Sequence, residues 1–162
     1  INSETGKPLE YLPMAIKLQF DKSDTSMKMA GARMYKYADD PTATEDGQCP
    51  HNDWVLFRYA DVVLMRAEAL IRNGQSGQAD LDEVRNRVGA PHADATLSNL
   101  LKERMLELAW EGWRHEDMIR FGKYLKKYWA HPDQSSETFR NVFPIPTDIL
   151  NANPKLSQNK DY

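Results

Sequence analysis

From Asp53 onward the sequence carries helical periodicity that is cut short again and again, and this pattern limits the chain to short packed helices. Val55, Tyr59, Val62, Val63, Met65, Ala69 and Leu70 fall at helical spacing, and the capping pair Asn73-Gly74 predicts where that helix stops. A second, shorter helix is predicted over 77–88 (GQADLDEVRNRV), ended by Gly89 and Pro91. The two make a helical hairpin of about 35 residues, the length of a tetratricopeptide unit, although a repeat array needs at least about three such units and one is visible. A third helix is predicted to start near Thr96 or Ser98 and to run to Glu111-Gly112. Glu103 lies too far along to close a capping box from either residue. A fourth carries Phe121, Tyr124, Leu125, Tyr128 and Trp129 at i, i+3, i+4, i+7 and i+8, with His131-Pro132 as its stop.

The flanks read differently. Over 1–52, Pro8, Pro13, Pro41 and Pro50 with Gly6, Gly31 and Gly47 punctuate short extended runs such as MAIKLQF (14–20) and RMYKYA (33–38). Loops with one short hairpin are expected there. The helical region covers 53–130, and the tail 131–162 is expected to be irregular, with at most a short helix after Pro146. The 162 residues suit a single domain burying roughly 68 to 70% of its unfolded surface. Because the chain begins with Ile1 rather than Met, it is read as a mature or excised piece of a longer protein.

Charge and composition exclude several classes. A net charge of −3 leaves no electrostatic footprint for nucleic acid, so no nucleic-acid partner is expected. No apolar run approaches the roughly 18 to 20 residues needed to cross a bilayer as a helix. The single cysteine, Cys49, rules out an intrachain disulfide and leaves the redox compartment open.

The block ERMLELAWEGWRHEDMIRFG (103–122) places Glu103, Glu107 and Glu111 four residues apart. That spacing sets Cβ atoms about 5 to 6 Å apart, close to the carboxylate separation of a retaining glycosidase. A glycosidase, however, needs carboxyl groups flanking the scissile bond, whereas side chains at i and i+4 project the same way from one helix. The acids alternate with arginines, which predicts pairing: Glu107 with Arg104, Glu111 with Arg114, Asp117 with Arg114 and Arg120, each about 0.2 to 0.5 kcal/mol if exposed. Arg114 in particular is expected to pair with Glu111 or Asp117, or both, in a partly buried network joining the third and fourth helices across the Gly112 break.

Other candidates point the same way. KYLKKYW (123–129) could form a sugar platform or a membrane-surface patch, but its aromatic stripe reads as a core face with lysines outside. Cys49, His51 and Asp53 crowd one loop, yet a zinc site needs three or four ligands at recognised spacing, and His92, His115 and His131 complete no such pattern. No metal and no cofactor is expected. Without a nucleophile elbow, an H-E-x-x-H helix or a phosphate loop, no catalytic residue is nominated.

Four blocks in order, DWVLFRYADVVLMRAEAL, LDEVRNRVGAP, LLKERMLELAWEGWRHEDMIRFGKY and VFPIPTDILNANPKLSQNKDY, resemble the C-terminal part of the SusD/RagB family over about 33–162. The resemblance implies a mainly α fold of tetratricopeptide-like helical hairpins with long irregular segments. It implies a non-enzymatic, surface-exposed lipoprotein of the outer membrane that binds oligosaccharide or another nutrient and delivers it to a SusC-like TonB-dependent transporter. Any membrane attachment would come through a lipid anchor on an N-terminal part that this chain lacks. A helical-repeat scaffold binding protein partners is the alternative, and a glycan-cleaving enzyme using Glu103, Glu107 or Glu111 a third reading. The family's sugar-binding aromatics fall mainly upstream, so no ligand-binding role is carried over to Trp54, Trp110, Trp113 or Trp129. The chain departs from the family pattern at Arg66, where tyrosine is common, at His115-Glu116, where an aromatic is usual, and at Lys160-Asp161, where Pro-Gly is common.

Overall fold

The structure is a computed structural model that describes residues 6, 11–12, 29–31, 36–38, 40–43, 51–126 and 137–162. It divides into two units, Ile1–Trp54 and Val55–Tyr162. The second holds α1 (Tyr59–Arg72), α2 (Gln78–Arg87), α3 (Leu97–Glu107), α4 (Arg114–Arg120), a 3-10 turn (Thr138–Asn141) and α5 (Thr147–Ala152). Among the described residues there is no strand; a single isolated bridge joins Leu12 to Ala30 in the first unit.

The first two helices form as the punctuation predicts. After α1, Gly74 adopts φ 71, its N–H bonds to the Ile71 carbonyl at 3.1 Å and Gln75 N–H reaches the Leu70 carbonyl at 2.8 Å. This is the Schellman arrangement, which satisfies carbonyls the helix itself leaves open. Gly89 and Gly122 end α2 and α4 with the same pair of bonds. The Thr96 side chain caps α3 by accepting from Asn99 N–H at 3.2 Å.

Two boundaries differ from expectation. Helix α3 stops at Glu107 rather than Glu111-Gly112: Leu108 already leaves helical geometry at φ −102, and Trp110 enters the left-handed region at φ 67 before the glycine is reached. The fourth helix lies at 114–120, ahead of the aromatic stripe that was expected to form it. Phe121 caps it, Gly122 turns the chain, and Tyr124 and Leu125 follow in a turn; Tyr128, Trp129 and His131-Pro132 lie outside the described residues. Most of the runs 14–20 and 33–38 also lie outside them.

The core is small. Val63, Leu64 and Ala67 of α1 meet Leu81 and Val84 of α2 and Leu100 of α3, with Ala60, Ile71, Ala95 and Phe121 packed around them. Residues Ala60, Val63, Leu64, Ala67 and Ile71 form one helical face, whereas Tyr59, Val62 and Met65 turn outward. Tyr59, at helical spacing in the sequence, is 70% exposed.

The tail is held by its own motif. Gln158 clasps the Ile145 backbone from both sides, its Oε1 accepting from the N–H at 2.8 Å and its Nε2 donating to the carbonyl at 2.9 Å. Asn159 donates to the Phe143 carbonyl and the Tyr162 hydroxyl to the Val142 carbonyl, so Q-N-x-x-Y pairs with V-F-P-I through side chains rather than strands. Asp161 takes φ 70 where the family has glycine, a conformation that aspartate tolerates better than most side chains. The turn survives without Pro-Gly.

Candidate functional site: a buried ion-pair lattice and the cleft at its edge

The acids singled out in the sequence do pair with arginines, but across helices rather than along one. Glu103 of α3 binds Arg85 of α2. Glu107 is reached by Arg58 (2.5 Å) and Arg87 (2.9 Å), and Glu111 by Arg58 (2.8 Å). Arg58, immediately before α1, thus clamps two of the three glutamates and donates to the Glu107 carbonyl as well. The expected Arg104–Glu107 and Arg114–Glu111 pairs are replaced by these, because the glutamates turn toward α1 and α2 instead of along their own surface.

A second chain of charges runs through the interior. Arg104, 1% exposed, places Nε 2.9 Å from both Asp117 oxygens and Nη1 2.8 Å from Asp61. Asp61 is 0% exposed, and neither of its oxygens has an aligned hydrogen bond, so charge attraction to Arg104 is what holds it. Asp117 continues to Arg120 at 2.7 Å, the one local pair that the spacing foresaw. Arg120 then meets Glu68 at 2.9 Å, and Glu68 meets Arg72 at 2.8 Å. Helices α1, α3 and α4 are therefore laced by alternating signs. Burial pushes the Glu68 carboxyl up, but hydrogen bonds from Arg120 and Arg72 outweigh it and hold the group below its ordinary value. Asp80 is likewise lowered, chiefly by the hydrogen bond from Arg66, which occupies the position where tyrosine is common.

These shifts give a sign for pH dependence. Carboxyls lowered in the folded state contribute stability that is complete above their unfolded values, about 4, and is lost as pH falls through the folded values. Thermal melts should therefore show a Tm that is level between pH 6 and 7 and drops steadily below about pH 4. Glu68→Gln should flatten that acid limb; an unchanged limb would remove Glu68 from it.

Arg114 takes no part in the lattice. Its Nη1 donates to the Leu101 carbonyl at 3.3 Å, and among the described arginines it alone has no carboxylate within ion-pair distance. The expected bridge to Glu111 or Asp117 is not made, because Arg58 and Arg104 already occupy those acids. Arg114 instead borders a cavity of about 230 Å³ at the α3–α4 elbow, with Met105, Leu108, Ala109, Trp110 and the Arg104–Asp117 pair on its walls. Trp110 is 68% exposed there, and a left-handed bulky residue stores about 1 to 3 kcal/mol of strain.

The other aromatics are spread out. Trp113 lies against Phe57 at 5.4 Å, and Trp54 stacks on Tyr37 at 6.2 Å within the first unit; Trp129 is outside the described residues. His115 sits between Tyr124 (4.7 Å) and Phe143 (5.3 Å), filling the aromatic position of the family block with an imidazole. Of the loop candidates for metal, His51 bonds Asp40, whose carboxyl is lowered to about 2, first by the Thr42 hydroxyl and then by the His51 N–H; Cys49 is outside the described residues. Among the described residues no three His, Cys, Asp or Glu converge.

The SusD family model matches residues 10–162. The chain belongs to the SusD family. It is 33% identical over 135 residues to the starch-binding protein SusD of Bacteroides thetaiotaomicron, covering 78% of this chain and 24% of that protein. A SusD-like protein of Formosa agariphila is 32% identical over 67% of this chain and 24% of its own length. Among solved structures, surface glycan-binding protein A from Bacteroides thetaiotaomicron superposes with a TM-score of 0.60 at 29% identity, covering 67% of this chain and 25% of that one. NanU of B. fragilis gives 0.54 at 27% identity, over 70% and 28%. The chain spans about a quarter of the length of these SusD relatives. Its helical hairpins are those of the SusD-like fold.

Proposed function

We propose that this chain is the scaffold-forming part of a non-enzymatic, surface-exposed outer-membrane lipoprotein that binds oligosaccharide and delivers it to a SusC-like TonB-dependent transporter. The observation carrying the proposal is the SusD-family match together with relatives named for binding starch and surface glycans. The local chemistry agrees with binding rather than cleavage. Each carboxylate of the Glu103, Glu107 and Glu111 series is engaged by an arginine from outside its own helix, so its oxygens are committed to ion pairs rather than presented to a substrate. The lattice gives the segment rigidity on which a binding surface can be carried.

The test has two arms. On a glycan array the full-length protein should retain an oligosaccharide, and in a reducing-sugar assay on the same glycan it should release nothing. Affinity capture from outer membranes should bring down a TonB-dependent transporter. Capture of protein partners with no glycan retained would favour the helical-repeat scaffold instead, and sugar release abolished by Glu107→Gln would make the chain an enzyme.

A further inference from the structure

We propose that the cavity at the α3–α4 elbow is a subsite for a carboxylated sugar ring, with Trp110 as the stacking face and Arg114 as the anchor for the carboxylate. The inference rests on the reading of the ligand as a glycan. Three observations at one place carry it. Trp110 is exposed at 68% although its backbone is held at φ 67, so the fold keeps a bulky residue in a glycine conformation without burying it. A strained residue retained at a cleft is a mark of a ligand clamp.

Arg114, on the same wall, has no carboxylate of the described residues within ion-pair distance of its guanidinium, whereas every other described arginine has one. Its hydrogen bond to the Leu101 carbonyl uses Nη1 and leaves donors for a bidentate carboxylate contact. The acid on the cavity wall, Asp117, is paired with both Arg104 and Arg120. Finally, about 230 Å³ lies below the roughly 300 to 1,000 Å³ of drug-sized sites and suits one ring rather than an extended chain. Met105, Leu108 and Ala109 supply the apolar floor on which the C–H face of a pyranose rests.

Tryptophan fluorescence titration with methyl glucuronide and methyl glucoside tests the subsite. The glucuronide should bind at least about tenfold more tightly than the glucoside, the preference expected of a charge-assisted bidentate contact. Arg114→Gln should erase that preference while leaving Tm unchanged. Trp110→Gly should abolish binding of both sugars while Tm holds or rises, because glycine accepts φ 67 freely. Equal binding of the two sugars, or a preference that survives Arg114→Gln, overturns the assignment. So does a lower Tm in Trp110→Gly, which would make the indole a packing element. If array glycans are retained equally by the parent and both variants, this subsite fails while the proposed function stands; if the parent retains none, both fail.

Discussion

Replacing Arg104 with alanine should remove about 3 to 5 kcal/mol of stability, the largest single-residue effect expected in this chain. Native domains have about 5 to 15 kcal/mol in total, so the variant should be largely unfolded at physiological temperature. The cause is not the attraction lost but the charges left behind. Arg104 is buried against Asp61 and Asp117, and the two carboxylates differ in what remains to them. Asp117 keeps Arg120 at 2.7 Å, whereas among the described residues Asp61 has no second cation within ion-pair distance and no aligned hydrogen bond. Most of the loss should therefore trace to Asp61. Adding Asp61→Leu to Arg104→Met should recover much of it, since buried ionic groups replaced together by apolar ones are often neutral or stabilising. Denaturant midpoints of the single and double variants decide the matter. An unchanged midpoint for Arg104→Ala would show that the pair is hydrated in solution.

That lattice also marks where sequence reasoning succeeds and where it stops. The acids and arginines of 103–122 are visible as alternating charges, and a structural role for Glu103, Glu107 and Glu111 follows from their one-sided projection. Their partners do not follow. Spacing reveals neighbours three or four positions away, so Asp117–Arg120 was readable, whereas Arg58–Glu111 joins residues 53 positions apart and exists only once α3 packs on α1. The same limit explains Arg114. Local spacing offered it Glu111 and Asp117, and tertiary packing gave both to other arginines. Helix ends were legible where glycine took the left-handed turn at Gly74 and Gly89, and missed at Trp110, since nothing in the side chain announces a positive φ. The described start of the aromatic stripe, Phe121 to Leu125, is not helical for a related reason. Gly122 closes a Schellman cap on α4, and that local bond pattern outweighs the periodicity following it. A signal was available: the Phe121-Gly122 step has the same apolar-glycine form as Val88-Gly89, where α2 ends.

The second large effect is expected at Gly77, where α2 begins against α1. Its backbone is ordinary, with φ −95, so conformational freedom is not the reason for glycine. Space is. A Cβ there would lie 2.7 Å from the Ala67 carbonyl oxygen, 3.1 Å from Ala67 Cα and 3.1 Å from Ile71 Cγ1. Ile71 could rotate away, but the Ala67 oxygen belongs to the backbone of α1 and can move only with the helix. Ala67 is itself fully buried, so no smaller neighbour is available to relieve the contact. Gly77→Ala should push α2 outward, loosening Leu81 and Val84 from Val63 and Leu64, at a cost of about 1 to 3 kcal/mol. Restricting the unfolded chain returns about 0.4 to 1 kcal/mol, which reduces the loss without reversing it. Gly74→Ala is the contrasting case, because its Cβ would meet nothing within 4 Å and only the φ of 71 is penalised. Core amide exchange separates the two: Gly77→Ala should lower protection in both α1 and α2, whereas Gly74→Ala should fray the α1 end while leaving Leu64 and Leu81 protected. A Gly77→Ala protein with full protection at Leu81 would show that the hairpin has slack the structure does not display.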